Sequence, residues 1–239
     1  MNIQYKAIGS LLTFIFCLLF STALYSSVVL KGNRIIYPAS AKEKTVEFSN
    51  NGDVPMLVQV WMDINNPDST VDNADAPFIA LPQLFRMNAN SGHALRLKFT
   101  GKGLPQDRES VFWFNFMQYP AIKSADAEKN RLALVVKSRL KIFYRPDGLA
   151  GDASQALTAL RIEKLNDAIV LTNPTPYHIS LRNADIVTGT RKTPVGQPGM
   201  IAPFGSTRWA LPVVKGGTIT LYAINDYGAA VSHTVTMPQ

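Results

Sequence analysis

Residues 130–146 read N-R-L-A-L-V-V-K-S-R-L-K-I-F-Y-R-P, and this order of apolar and charged residues limits what the chain can become. Side chains alternate between the two faces of a strand, so Leu132, Leu134 and Val136 form one apolar ridge, and Lys141 falls at the opposite parity. As an interior strand, the ridge is core. Along an open groove, it is a surface made for another chain. Function turns on which of these holds.

Similar β-type runs fill the rest of the sequence. Residues 28–37, V-V-L-K-G-N-R-I-I-Y, are interrupted by Gly32 and stopped by Pro38, which predicts a strand with a bend or bulge at a sheet edge. Residues 44–48 and 56–62 flank the turn formers at 49–53 and predict two strands joined by a tight turn. After a polar, turn-rich stretch at 65–77 come short apolar runs at 78–81, 84–87 and 94–99. Residues 104–119 are the most aromatic strand candidate, with Phe112, Phe114 and Phe116 alternating against Trp113, Asn115 and Met117. The charged residues 123–131 then read as a loop.

Composition shifts at Tyr144-Arg145-Pro146-Asp147-Gly148, so the domain boundary is expected between residues 146 and 153, giving domains 28–147 and 148–239. Further strand-like runs follow at 160–164, 168–172, 177–187, 200–203, 207–211 and 218–225, with Gly and Pro between them. Helical periodicity is weak beyond the N-terminal residues. An all-β chain of two tandem β-sandwiches is therefore expected.

At the N-terminus, Lys6 precedes an apolar run at residues 7–20 and the small residues Ser21, Ala23, Ser26 and Ser27. This predicts a secretory signal peptide over 1–27, cut after Ala23, Ser26 or Ser27. The run is short for a hydrocarbon core of about 30 Å. Cys17 is the single cysteine of the 239 residues, so the exported chain must hold itself together by burial without disulfides. The formal charge of +7 includes Lys6. The remaining excess favours carboxylates and acidic partners, but the cations are scattered, with no arginine-rich tract or basic helix, and nucleic acid is not an expected partner.

Chemistry-bearing clusters are missing from the sequence. His93, His178 and His233 are far apart and lack a partner His or thiol at metal-ligand spacing, so no metal site is expected. There is no Gly-x-Ser-x-Gly elbow and no cysteine nucleophile outside the signal region, and Gly101-Lys102-Gly103 reads as a turn rather than a phosphate cradle. Asp107 and Glu109 come nearest to an acid/base pair, but Arg108 between them and Ser110 after them point to a turn. No catalytic residue, cofactor or small-molecule substrate is expected, and the chain does not read as an enzyme.

The segment Leu104-Pro105-Gln106-Asp107-Arg108-Glu109-Ser110-Val111-Phe112-Trp113 resembles the signature of the periplasmic chaperones of the chaperone–usher pilus pathway. The resemblance extends to Gly32-Asn33-Arg34-Ile35-Ile36-Tyr37, Lys141-Ile142-Phe143-Tyr144-Arg145-Pro146, Thr172-Asn173-Pro174-Thr175-Pro176-Tyr177 and Asn225-Asp226-Tyr227-Gly228, which together span the chain beyond the signal. The short segment before Leu132, with no flanking cysteine pair, looks like the short-loop branch serving rod-like pili. His178 departs from the pattern where many relatives carry a second aromatic residue, as does Pro38, a stiff choice at its strand's end.

This resemblance implies two immunoglobulin-like β-sandwich domains in an L-shaped arrangement. It implies a periplasmic protein that binds pilus subunits by donor-strand complementation and delivers them to an outer-membrane usher. Leu132, Leu134 and Val136 become the donor ridge. Arg34 and Lys141 become the anchor for the subunit's C-terminal carboxylate, while Glu109, Arg145 and Asp226 become an ionic network between the domains. The donor edge also allows self-association of the free protein. Two other readings compete: a secreted β-sandwich subunit or adhesin of a surface fibre, and an exported sandwich hydrolase.

Overall fold

The computed structural model describes residues 28–122, 132, 134–165, 168–210 and 217–237. The signal peptide expected over 1–27 and the loop expected over 123–131 lie outside these residues. The first half of the chain forms β1 (Val28–Leu30), β2 (Arg34–Pro38), β3 (Lys44–Asn50), β4 (Met56–Asp63), β5 (Phe78–Leu81), β6 (Leu84–Met87), β7 (Ser91–Phe99), β8 (Ser110–Pro120) and β9 (Val136–Arg145). These strands make two sheets, β1-β3-β7-β5 and β2-β9-β8-β4-β6. Alternation decides what lies between them: Val46, Phe48, Leu95 and Leu97 from one sheet meet Val58, Val60, Phe112, Phe114 and Phe116 from the other.

Three sequence expectations change here. Residues 28–37 are two short strands in different sheets rather than one bent strand. Gly32, at φ 102°, lets the chain leave β3 and join β9, a backbone conformation that side-chain-bearing residues resist. The strands at 44–48 and 56–62 do not pair with each other: β3 pairs with β1 and β7, while β4 pairs with β6 and β8. Their connection crosses between sheets around the fully buried Asn50, whose amide donates to the carbonyls of Val54 and Asn88, both at 2.9 Å. Finally, the aromatic strand begins at Ser110 and not at 104, because the Glu109 N–H donates to the Pro176 carbonyl at 2.9 Å instead of a sheet neighbour.

The second half forms β10 (Arg161–Lys164), β11 (Ala168–Thr172), β12 (Ile179–Thr188), β13 (Arg191–Val195), β14 (Gly199–Ile201), β15 (Ser206–Ala210), β16 (Thr218–Ile224) and β17 (Ala230–Thr236). Its sheets are β10-β11-β15 and β13-β12-β16-β17, with β14 also on β12, around a core that includes Ile169, Leu171, Ile186, Ile219 and Leu221. The sequence reading missed β13 and β17. Both end their sheet, and each lacks a two-residue apolar alternation: β13 carries Pro194, and β17 reads A-V-S-H-T-V-T with most of its side chains exposed.

Candidate functional site

β9 has a neighbour along all of one side and only half of the other. It pairs with β8 from Val136↔Gln118 to Tyr144↔Ser110, whereas β2 covers only Lys141 to Arg145, in parallel. With β1 in the other sheet, the edge from Val136 to Leu140 has no neighbouring strand among the described residues. Leu140, Ile142 and Tyr144 face the core, and Val136 shares their parity. Leu132 is 95 % exposed, Leu134 75 % and Val136 43 %. Strand β9 begins only at Val136, which shares the core-facing parity, and Leu132 and Leu134 lie exposed before its start rather than within it as the sequence reading expected.

On the outward parity, Lys141 is the register partner of Arg34. The Arg34 guanidinium donates to the Ile224 carbonyl at 2.9 Å and the Asn33 side-chain oxygen at 3.1 Å, and it lies 5.8 Å from the Phe143 ring centroid. Lys141 has no hydrogen-bond acceptor among the described residues, and its ammonium lies 5.4 Å from the Trp113 ring centroid. Burial lowers the Lys141 pKa, and the positive charge of Arg34 lowers it further. For Arg34, burial also lowers the pKa, with the negative charge of Asp226 opposing it. Two desolvated cations side by side form a site suited to an anion.

Glu109, Arg145 and Asp226 meet between the two halves of the chain. The Arg145 Nε donates to Glu109 Oε1 at 2.7 Å, and Nη1 donates to Asp226 Oδ2 at 2.8 Å. Glu109 is buried to 3 % exposure, and its second oxygen accepts the His178 N–H at 2.8 Å and faces His178 Nδ1 at 3.3 Å. Burial alone pushes the Glu109 pKa up, but the His178 and Arg145 contacts outweigh it and hold the carboxyl below its usual range. Asp226 is aimed by a turn in which the Asn225 side chain accepts the N–H groups of Tyr227 and Ala229. Beside it, Asn33 Nδ2 donates to the Gly228 carbonyl at 3.0 Å, where a Cβ on Gly228 would come within 2.7 Å of Asn33.

Asp107 does not join Glu109. It pairs with Arg108 at the surface, Nη2 to Oδ2 at 2.7 Å, so the acidic pair is split between surface and cleft. His178, read in the sequence only as a departure, is a member of the interdomain network and lies 5.7 Å from the Phe143 ring. Its position after Tyr177 was the available signal: the fully buried Asn173 caps the Thr172–Tyr177 segment by donating to the Tyr177 and Ala202 carbonyls, which sets the direction of the next residue. Among the described residues there is no group of three metal-ligating side chains, and no helix is long and apolar enough to cross a membrane.

Two immunoglobulin-like sandwiches, with a strand paired along only part of one side among the described residues and two cations beside it, define a two-domain β-protein. Residues 27–150 match the family described as pili and flagellar-assembly chaperone, PapD N-terminal domain, and residues 154–235 match the C-terminal domain of the pili assembly chaperone PapD. The chaperone protein MrkB of Klebsiella pneumoniae is 37 % identical over 93 % of this chain and 97 % of its own length. Among solved structures, the Pseudomonas aeruginosa CupB2 chaperone superposes with a TM-score of 0.75 at 29 % identity, covering 88 % of this chain and 100 % of its own. The Salmonella enterica SafB chaperone complex with the SafA pilin gives 0.73 at 28 % identity, covering 90 % of this chain and 98 % of the matched chain. The chain belongs to the PapD family of pilus-assembly chaperones, whose function is not enzymatic.

Proposed function

We propose that this chain works in the periplasm, where it captures pilus subunits by lending them β9 and hands them to an outer-membrane usher. The observation that carries this reading is the edge from Val136 to Leu140, unpaired among the described residues and beside the exposed Leu132, Leu134 and Val136. A β-sandwich lacking one strand presents an apolar groove and an unpaired edge. An added strand satisfies that edge by backbone hydrogen bonds while its alternate side chains fill the groove. Each filled position contributes about 1.5–3 kcal/mol.

Arg34 and Lys141 receive the subunit's C-terminal carboxylate, and so set the register of the added strand. The support is electrostatic: Lys141 is partly buried beside a second cation, Arg34, and has no acceptor among the described residues. Glu109, Arg145 and Asp226 hold the two domains at the angle that forms this cleft. The domain limits 28–147 and 148–239 belong to the same reading. Co-expression with a pilus subunit in the periplasm tests it: subunit should accumulate with the wild-type chain and disappear with Leu134→Glu, and accumulation with both would overturn it.

A further inference from the structure

On the outward face of the five-stranded sheet, Asp63 closes β4 with a fully buried carboxylate. Four groups donate to it: the Asn66 N–H at 2.8 Å, the Ser69 hydroxyl at 2.8 Å, the Asn115 amide at 2.6 Å, and the guanidinium of Arg139. Burial pushes the Asp63 pKa up, but these donors outweigh it and hold the group ionised. The loop after β4 is closed on itself, with the Ile64 N–H donating to Asp75 at 2.8 Å and the Trp61 indole N–H donating to Ser69 at 3.0 Å. Lys137 reaches the same loop, donating to the carbonyls of Pro67 and Ser69, both at 2.8 Å, above the Trp61 ring. The Arg139 guanidinium carbon lies over Trp113, 3.9 Å from its ring centroid.

Lys137 and Arg139 are the outward residues of the section of β9 that β2 leaves uncovered. A strand with one neighbour frays, and any disorder in it must be removed when a partner adds. A buried ion pair is a poor source of net stability against an apolar alternative, but the four donors that converge on Asp63 fix its place, while Arg139 Nε and the Asn115 side-chain oxygen are buried without a hydrogen-bond partner among the described residues. We propose that Asp63 and the loop at residues 64–70 form a clasp that holds the open section of β9 extended, making Asp63, Lys137 and Arg139 positioning residues for strand addition. This rests on the reading of β9 as the lent strand.

The test uses the full chain with Asp63→Asn, Lys137→Met and, for comparison, Leu134→Glu. Amide exchange in the free protein is read at residues 136–140, and capture rate is read with a urea-unfolded pilus subunit that the wild type captures. The clasp variants should exchange about tenfold faster at 136–140 with β3 and β7 unchanged, and they should capture the subunit several-fold more slowly. Wild-type exchange at 136–140 and wild-type capture in both variants would overturn the clasp. If Asp63→Asn loosens the whole domain, Lys137→Met, which removes two hydrogen bonds to loop carbonyls and the ammonium's contact with the Trp61 ring, decides alone. Undiminished capture by Leu134→Glu would instead sink the lent-strand reading, while the exchange data would still report on the clasp.

Discussion

Lys141 stands beside Arg34 in the parallel register of β9 and β2, and no carboxylate among the described residues bonds the lysine. Like charges at neighbouring positions disfavour each other, and burial adds to the penalty. The surrounding sandwich imposes this arrangement, and an anion bound between the two cations would relieve it.

Substituting Lys141→Met removes a desolvated charge, so the free chain should melt at the same temperature as wild type or slightly higher. Subunit recovery in co-purification should nevertheless fall by about tenfold or more, the equivalent of one charge-assisted hydrogen bond of about 1.5–3 kcal/mol. A subunit yield equal to wild type would exclude Lys141 as the anchor.

Leu134 is 75 % exposed, so Leu134→Glu should leave the thermal melt and near-ultraviolet circular dichroism of the free chain unchanged. Capture should be lost, since a carboxylate would have to enter an apolar groove. An unfolded variant would show that Leu134 serves the chain's own core.

Arg145→Ala leaves the Glu109 carboxylate buried with His178 as its only remaining partner from the network. Breaking a buried pair in this way costs about 3–5 kcal/mol, with the lower end expected here because Arg145 retains 23 % side-chain exposure. Urea unfolding measures the loss, and small-angle scattering should show a broader distribution of domain orientations.

Glu109 also predicts a pH dependence. Its folded pKa lies below the ordinary carboxylate value, so its contribution is fully present above the unfolded pKa and is lost as pH falls through the folded value. The urea midpoint of the wild type should therefore drop as pH falls below the ordinary carboxylate value of about 4.3. Glu109→Gln should start lower and fall less steeply across that range. An identical slope in both proteins would show that the network's acid titrates elsewhere.

The sequence, by parity alone, separated the ridge of Leu132, Leu134 and Val136 from Lys141, because side-chain direction in a strand depends only on odd and even position. It also predicted the aromatic alternation of Phe112, Phe114 and Phe116 and the order of two sandwiches. Resemblance to known chaperones singled out Arg34, Glu109, Arg145 and Asp226, which no local pattern distinguishes from solvated surface charges.

Tertiary structure decided the rest, because exposure and pairing depend on contacts between residues far apart in the chain. The open edge at Val136 to Leu140, unpaired among the described residues, follows from Gly32, which sends β1 and β2 to different sheets. The meeting of Glu109 with His178, and of Asp63 with Arg139, joins residues 69 and 76 positions apart. Such pairs follow from sheet order and register. A local period of two carries no information about which strand lies beside which.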